Sequence, residues 1–388
     1  MPISHLTLDH YSPLDHHKFQ QRYYEFLDYF RVPAGPIFLK ICGESSCDGI
    51  ANDYIGVLAK KFGAAVVSLE HRYYGKSLPF KSTTTENLRY LSSKQALFDL
   101  AVFRQYYQES LNLKLNRTGV ENPWFVFGVS YSGALSAWFR LKFPHLTCGS
   151  LASSAVVLAV YNYSEFDQQI GESAGAECKA ALQETTQLVE ERLASNKKAL
   201  EIDGDFLYFL ADAAAIAFQY GNPDKLCPPL VQAKKDGEDL VEVYAKHIFK
   251  WHPQMIAFAP HKLIQDIIWI FVRRSLEKTF ILRLTQLICI MGAQISQVQR
   301  SFLQMGLKIP WRHASKQISS PDMPSFVMSC HNCGHGTDMR GCPQSPFNIE
   351  GNAKNCGSPD AVEKVRHQII EKMDLWLSEC HASGRSSM

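Results

Sequence analysis

The chain has 388 residues, of which 46% are hydrophobic and 20% charged, and it carries a formal net charge of +2 at pH 7. This composition is that of an ordinary globular protein and excludes a disordered or fibrous chain, while the length predicts one large domain with an insertion, or two domains. A charge so close to zero gives no electrostatic reason to expect nucleic acid or an anionic membrane as a partner.

Short apolar runs alternate with helical patterns in the first part of the chain. The runs occupy 36–41, 64–69, 124–127 and 149–154. Apolar residues recur at helical spacing over 93–106 and 133–143. Runs this short, with β-branched and aromatic residues, are typical of strands buried on both faces of a parallel sheet. The order of strands and helices therefore predicts a doubly wound α/β sheet.

The composition changes from about Glu165 to Val243, where alanine, glutamine, glutamate and leucine dominate. This stretch predicts a series of helices inserted into the sheet domain as a cap. Near the C-terminus, Ser358 as N-cap and Pro359 at the first helical position predict a helix that ends at Trp376. No apolar run reaches the roughly eighteen residues that a membrane span needs, so we predict none.

The most informative motif is WFVFGVSYSG at 124–133, in which a buried strand leads through Gly-x-Ser into a helix. This is the pattern of a nucleophile elbow, a turn so tight that the neighbours of the serine must be small. Ser132 stands where glycine is usual, and its small side chain makes the departure tolerable. The motif predicts Ser130 as the nucleophile; the alternative is an ordinary strand–turn–helix corner with an incidental serine.

A serine nucleophile needs a base, and the base needs a third group that orients it. In this fold the chain order is serine, acid, histidine, with the histidine in a loop near the end of the sheet. His335 follows the strand-like segment 323–329 and lies between two glycines, so we predict that it is the base. His331 and His313 compete for this role, and we expect both to be surface or packing residues.

Three motifs in a fixed order resemble those of the lysosomal prolyl carboxypeptidase and dipeptidyl peptidase II family, in its plant branch. They are EHRYYG at 70–75, GVSYSG at 128–133 and GHGTDMR at 334–340. The resemblance covers three parts of the chain: 6–193, 203–245 and 310–377. It implies serine exopeptidases, either carboxypeptidases or dipeptidyl peptidases, that cleave after a penultimate proline or small residue. It also implies an α/β-hydrolase core with an inserted helical cap.

The resemblance assigns roles to individual residues. By motif matching, Ser130 is the nucleophile and His335 the base. The backbone N–H groups of Gly43 and Tyr131 would form the oxyanion hole, and Glu44 matches an acidic position that we expect to bind substrate.

The resemblance further implies peptide substrates, no cofactor and no metal, and it allows a homodimer. It implies a secreted, vacuolar or lysosomal location, with which eleven cysteines and the N-x-Ser/Thr sequons at Asn116 and Asn162 agree. We divide the chain into a first core part (1–160), a helical cap (161–275) and a second core part (276–388).

The triad acid departs from the family pattern. The family places an aspartate in a segment that reads Asn-Gly-x-x-Asp-Pro-Trp, whereas this chain reads MGLKIPW at 305–311, with Ile309 at the acid position. An isoleucine cannot accept the imidazole N–H. Asp322 precedes the strand that leads to the base and is expected at the wrong end of the sheet. Asp338 is already matched by the family motif, so we expect no acid in the triad.

Residues 276–309 resemble nothing in the family, although the sequence on both sides does. A shifted reading frame through this segment can encode a family-like string that ends in the missing aspartate. We therefore interpret 276–309 as aberrant and expect it to pack poorly against the sheet. The stretches from Leu200 and from Phe249 look shortened. The first residues contain no signal peptide, which favours a natural start elsewhere.

The cysteines allow two interpretations. A CxxC pair, two later cysteines and nearby histidines could form a zinc site: Cys330, Cys333, Cys342 and Cys356. The strand context and the family favour disulfides instead, and we expect Cys42 to pair with Cys47.

The sequence thus favours a serine exopeptidase, active or impaired by loss of the acid. Two alternatives stay open. The missing acid favours a non-catalytic α/β-hydrolase that binds a peptide or a protein partner. A lipase or esterase on the same fold is the other, and the three family motifs argue against it.

Overall fold

The computed structural model describes residues 3–50, 53–195, 204–251, 300–331, 333–340 and 359–385. Its strands are β1 (Ile3–Thr7), β2 (Lys18–Phe26), β3 (Ile37–Ile41), β4 (Ala65–Leu69), β5 (Trp124–Val129), β6 (Gly149–Ser153), β7 (Ser301–Gly306) and β8 (Ser325–Met328). Its helices are α1 (Tyr54–Phe62), α2 (Ser93–Lys114), α3 (Tyr131–Lys142), α4 (Glu165–Ser195), α5 (Gly204–Gln219), α6 (Cys227–Asp236), α7 (Leu240–Trp251) and α8 (Asp360–Arg385).

The strands of the described residues form one sheet in the order β1-β2-β4-β3-β5-β6-β7-β8. β1, β2 and β4 pair antiparallel, and every pair from β4 to β8 is parallel. With helices on its faces, this is the predicted α/β-hydrolase fold. The carboxyl ends of the parallel strands meet along one edge, where such folds place their ligands.

Both faces of the sheet are buried. One apolar layer includes Leu97 of α2 and Trp138 of α3, and the other includes Leu58 of α1 and Trp376 of α8. This explains why β3, β4 and β5 are nearly continuous apolar runs rather than alternating ones. The four strands predicted from those runs are confirmed to within two residues at each end.

The C-terminal helix begins at Asp360, one residue after the predicted first helical position Pro359, and it continues to Arg385 instead of ending at Trp376. No glycine or proline interrupts the sequence until Gly384, so nothing in it stops the helix earlier. The added turns carry Cys380, which forms a disulfide with Cys148 at the start of β6. The helix is thereby attached to the sheet that it covers.

The prediction that 276–309 packs poorly against the sheet is wrong for the part of that segment that the structure describes. Residues 276–299 lie outside the described residues, but β7 is a regular strand between β6 and β8, and all six of its residues are buried. Phe302 and Leu303 enter the two opposite apolar layers. The hydroxyl groups of Ser301 and Ser150 are 2.7 Å apart and form a hydrogen bond. Apolar side chains on both faces of β7 are therefore sufficient for a central strand.

Helices α4 to α7 pack around an apolar cluster of their own, which includes Phe218 and Tyr244. A disulfide between Cys178 and Cys227 joins α4 to α6. These helices meet the core at the short 3-10 helix Pro310–Ala314, which follows β7. No helix of the described residues is long and apolar enough to cross a bilayer.

A buried ion pair anchors the N-terminal segment to the sheet. Arg72 donates from Nε and Nη2 to Asp99 over 2.6 and 2.7 Å, and the two side chains are 0% and 1% exposed. Asp99 also contacts His10 Nε2 at 2.7 Å, and Arg72 donates to the carbonyls of Leu8 and Tyr90. The pair therefore joins the chain after β1, the loop after β4 and α2.

Breaking this pair should destabilise the fold strongly. Asp99→Ala leaves the Arg72 charge buried without its partner, so we expect the free energy of unfolding to fall by about 3–5 kcal/mol. Urea denaturation followed by circular dichroism measures it. The control is Glu184→Ala, which breaks an exposed pair with Lys234 and should change the midpoint little. Equal midpoints for both variants would show that Arg72–Asp99 is dispensable.

Candidate active site

Ser130 occupies the turn between β5 and α3. Its backbone has φ 65° and ψ −131°, a combination that a residue with a side chain rarely adopts. The turn is held because Ser130 N–H donates to the carbonyl of Ser153 on β6 over 3.0 Å. The Ser130 carbonyl in turn accepts from Ala134 N–H. Such a strained residue persists only where its surroundings determine it, as in a nucleophile elbow.

The neighbours of Ser130 show why the turn needs small residues. A Cβ on Gly128 would lie 1.9 Å from the carbonyl oxygen of Ser132, and one on Gly133 would lie 2.8 Å from that of Ser153. Ser132 is accommodated because its hydroxyl accepts from Val129 N–H at 3.1 Å and donates to Val129 O at 2.8 Å. The side chain thus closes the turn that glycine closes elsewhere.

A short loop after β3 lies against the elbow. A Cβ on Gly43 would be 3.8 Å from the hydroxyl oxygen of Ser132. The expected disulfide between Cys42 and Cys47 is present and closes this loop. Tyr131 is the first residue of α3, where backbone N–H groups have no carbonyl of their own helix to bind.

Glu70, the first residue of the EHRYYG motif, holds the loop that the disulfide between Cys42 and Cys47 closes. Its buried carboxylate forms an ion pair with Arg22 and accepts from Cys47 N–H at 3.1 Å. It also accepts from Lys76 N–H at 3.0 Å and from the Ser77 hydroxyl at 2.6 Å. Burial raises the pKa of Glu70, but these donors outweigh it and leave the pKa below its ordinary value. A stably charged carboxylate therefore holds the loop.

His71 contacts Tyr131, the residue that follows Ser130. This contact was not predicted from the sequence, in which His71 is identified only as part of the EHRYYG motif. Its Nε2 is 3.1 Å from the hydroxyl of Tyr131, and its Nδ1 is 2.8 Å from the carbonyl of Arg72. Burial lowers the pKa of His71 to about 4 and raises that of Tyr131. A neutral pair therefore positions the side chain that follows the nucleophile.

Glu44 lies in the disulfide loop, close to the aromatic residues of the site. Its side chain is open to solvent, while nearby protein atoms raise the pKa of its carboxyl by desolvation. Burial, and to a smaller extent the negative charge of Glu44, raise the pKa values of Tyr74 and Tyr131. The carboxylate is thus near the residue that follows Ser130.

The loop after β8 brings His335 to the elbow. It begins with a disulfide between Cys330 and Cys333. A Cβ on Gly336 would lie 2.8 Å from Val129 Cγ1, and Gly336 N–H donates to the Ser154 hydroxyl over 2.8 Å. His335 and Ser130 are thus the immediate neighbours of two residues in contact. Within the described residues no hydrogen bond joins the two side chains, a common situation before substrate binds.

The imidazole of His335 lacks an orienting partner. Its Nδ1 is buried and has no hydrogen bond among the described residues. Burial, and then the charge of Arg340, lower the pKa of His335 to about 4. The ring is therefore neutral near pH 7, and within the described residues no carboxylate bonds to Nδ1 and stabilises an imidazolium.

Ile309 lies next to the loop that carries His335. It is 0% exposed and stands at the start of the 3-10 helix that follows β7. A Cβ on Gly306 would lie 2.9 Å from Ile309 Cδ1 and 2.7 Å from the carbonyl oxygen of Cys333. The apolar side chain therefore lies beside the segment that leads into His335.

The other carboxylates considered from sequence do not reach His335. Asp322 is exposed and its carbonyl accepts from Arg300 N–H, just before β7, at the amino end of the strand. Asp338 is buried, and it accepts from the Ser153 hydroxyl at 2.6 Å. With its amide correctly oriented, Gln304 donates to the same oxygen at 2.7 Å. Burial raises the pKa of Asp338 to about 6 against the Ser153 hydrogen bond.

The competing histidines have other contacts. His331 is exposed and pairs with Asp224 at 2.8 Å, and His313, also exposed, contacts Gln169 at 3.1 Å. Both are the surface residues that the sequence predicted.

The disulfide interpretation of Cys330 and Cys333 is confirmed, while Cys342 and Cys356 lie outside the described residues. Within those residues no cluster of three or more metal-ligating side chains occurs. Asn116 and Asn162 are both exposed with positive φ, and their glycosylation stays a prediction.

Known proteins resemble this chain over most of its length. A family model described as serine carboxypeptidase S28 matches residues 6–249. "Probable serine protease EDA2" of Arabidopsis thaliana is 55% identical over 437 residues, which cover 98% of this chain and 89% of that protein. That alignment is longer than this chain, so the relative has residues that this chain lacks.

More distant relatives match shorter parts. The thymus-specific serine protease of Homo sapiens is 38% identical over 50% of this chain and 38% of its own length. The lysosomal Pro-X carboxypeptidase of Pongo abelii is 36% identical over 39% of this chain and 30% of its own length. This chain thus spans well under half of either protein. The solved structure of proline iminopeptidase from Mycobacterium smegmatis superposes with a TM-score of 0.41 at 13% identity, covering 97% of this chain and all of that one.

The titration of His335 should report the missing acid. Nuclear magnetic resonance of the imidazole signals should give a midpoint near the pKa of about 4, well below the ordinary 6.5. The unfolded chain takes up this proton first, so the contribution to stability is present above pH 6.5 and is lost as the pH falls towards 4. A midpoint at the ordinary value would mean that a carboxylate partner or solvent reaches the ring.

Proposed function

The chain belongs to the serine carboxypeptidase S28 family, and from this premise we propose that it is a serine exopeptidase with an incomplete catalytic triad. It is a serine-type peptidase by family. The proposal adds that it cleaves peptides after proline or a small residue, as a carboxypeptidase or a dipeptidyl peptidase. The observation that supports incompleteness is the buried Nδ1 of His335 without a partner.

The proposed reaction is acyl transfer through Ser130. Its hydroxyl oxygen attacks the scissile carbonyl while His335 removes the hydroxyl proton, and the tetrahedral oxyanion is bound by Gly43 N–H and Tyr131 N–H. His335 then returns the proton to the leaving amine as the C–N bond breaks. Water, with His335 again as the base, then attacks the acyl group on Ser130. The ester bond breaks, the acyl group leaves as a carboxylic acid and the Ser130 hydroxyl is restored. The strained turn and the disulfide loop support these roles, because they hold the nucleophile and the proposed oxyanion donors in one place.

The substrate class follows from the relatives and from Glu44. One relative is named a Pro-X carboxypeptidase and another a probable extracellular serine carboxypeptidase, of Arthroderma benhamiae. We propose peptide substrates and a secreted, vacuolar or lysosomal location, which the four disulfides of the described residues support. A carboxylate beside Tyr131 would bind a hydrogen-bond-donating or cationic group of the substrate.

Loss of the acid should limit the rate rather than binding. Without a carboxylate, His335 is neither fixed in one tautomer nor stabilised when it gains a proton. The loss of that acid in a serine triad costs about 10⁴-fold in turnover, or roughly 5.5 kcal/mol of barrier. We expect residual activity, because the oxyanion donors and substrate contacts do not depend on Ile309.

The same observation favours a second candidate function. A protein that binds peptides beside Ser130 without turning them over needs no proton relay. In that case the chain would act as a non-catalytic binding protein of the same family. Turnover, measured with purified chain, separates the two.

Replacing the nucleophile tests the first candidate. Ser130→Ala should abolish hydrolysis of a proline-containing dipeptide substrate without unfolding the chain, because the turn accepts a small residue. The matched control is Ser136→Ala in the helix that follows, whose hydroxyl bonds to the backbone carbonyls of Gly133 and Leu151, and which should keep activity. Cleavage by Ser130→Ala at the parental rate would refute Ser130 as the nucleophile.

Supplying a carboxylate at the acid position tests the missing relay. Ile309→Asp should raise turnover at least tenfold, with a ceiling of about 10⁴-fold if the carboxylate reaches Nδ1. It should also raise the pKa of His335, since a nearby negative charge favours the imidazolium. Ile309→Asn introduces a side chain of nearly the same shape as aspartate but without its charge, so it should give no comparable gain in turnover. If the parent already turns over as fast as Ile309→Asp, another acid serves His335.

A further inference from the structure

The end of cap helix α5 lies against the loop that carries His335. The carbonyl of Gln219, the last residue of α5, accepts from His335 N–H over 2.5 Å. A Cβ on Gly334 would lie 2.4 Å from the carbonyl carbon of Tyr220, so the two backbones are in direct contact. The last carbonyls of a helix have no partner within it, which leaves the Gln219 carbonyl available for this bond.

The side chain of the same residue reaches the segment of the acid position. Gln219 Oε1 accepts from Trp311 Nε1–H over 3.3 Å, and Trp311 is two residues after Ile309. The indole also stacks on Tyr163 at 6.0 Å between ring centres and meets the edge of Phe166 at 4.8 Å. Residues of the helical cap therefore contact the Trp311 indole in three places.

Gln219 is the shared partner of the two segments. Within the described residues, no hydrogen bond directly joins the 3-10 helix 310–314 to the loop 329–336. One residue of the cap thus binds the base segment through its backbone and the acid-position segment through its side chain. The ring of His335 has no hydrogen-bond partner at Nδ1 and meets Tyr220 edge-on at 6.1 Å. Its orientation therefore depends on how its backbone is held.

We propose that Gln219 is a positioning residue that sets the placement of His335 relative to the segment of the triad acid. The cap then does more than cover the substrate: it determines the geometry of the proton relay. This inference rests on the proposed roles of Ser130 and His335. A displacement of about 1 Å in a catalytic group can cost about 10²-fold in rate, so one hydrogen bond at this place is enough to matter.

Two side-chain variants test the link in the full chain. Gln219→Met keeps the length and helix propensity of the side chain but removes the acceptor for Trp311, whereas the matched Gln219→Glu retains an acceptor. The first measurement is the rate at which a fluorophosphonate probe labels Ser130 at pH 7. The second is the nuclear magnetic resonance signals of the His335 imidazole and the Trp311 indole N–H.

We expect Gln219→Met to label about tenfold more slowly and to shift both sets of signals, with unchanged circular dichroism and urea midpoint. Gln219→Glu retains the acceptor, so the signal of the Trp311 indole N–H should stay close to its parental position. Trp311→Phe removes the same hydrogen bond from the other side and keeps the stacked ring. Its effect should not add to that of Gln219→Met in the double variant. If Gln219→Met fails to fold, Trp311→Phe decides the question alone.

The inference is overturned if Gln219→Met labels at the parental rate and leaves the His335 signals in place. A parent that the probe does not label at all would instead refute the proposed reactivity of Ser130. In that case the His335 and Trp311 signals of the variants still decide whether Gln219 positions the loop.

Discussion

The backbone of Ser130 is the constraint around which the site is built. Its positive φ exists because β5, buried as far as Gly128, leads directly into α3, with no room for a Cβ at Gly128. Holding such a turn requires neighbours on both sides, which β3 and β6 supply as parallel strands. The disulfide loop after β3 and the Ser153 carbonyl of β6 then follow from the sheet order alone. The two apolar layers that bury the sheet therefore also fix the backbone of Ser130.

The sequence predicted the parts of the fold whose burial is symmetric. The parallel strands read as apolar runs because both faces are covered, and the elbow was recognisable because its steric demands fall on consecutive residues. β1 and β2 were not predicted: they form the antiparallel edge, and KFQQRYYEF has no continuous apolar run. Contacts between distant segments, such as His71 with Tyr131 or Arg72 with Asp99, leave no local pattern that a single sequence could reveal.

The segment around β7 separates two kinds of information in a sequence. A strand between two parallel strands needs little more than apolar side chains on both faces, which SFLQMG provides, so the expectation of poor packing was wrong there. The triad acid is different, because it requires one residue type at one position. Ile309 packs well in that position, as its complete burial shows. Good packing at this position therefore does not depend on the acid that the family pattern places there, and the Nδ1 of His335 has no hydrogen-bond partner among the described residues.

The two halves of the site consequently differ in their electrostatics. On the oxyanion side, Glu70 is a buried charge with four polar partners, and its loop is closed by a disulfide. On the base side, burial keeps His335 neutral, and no carboxylate among the described residues offsets that cost when the ring is protonated. In a medium of low effective dielectric, a charge placed next to the ring acts more strongly than it would in water. The burial that lowers the pKa of His335 would therefore strengthen the effect of a carboxylate placed beside it. The side chain at position 309 is the point at which this arrangement departs from the family pattern.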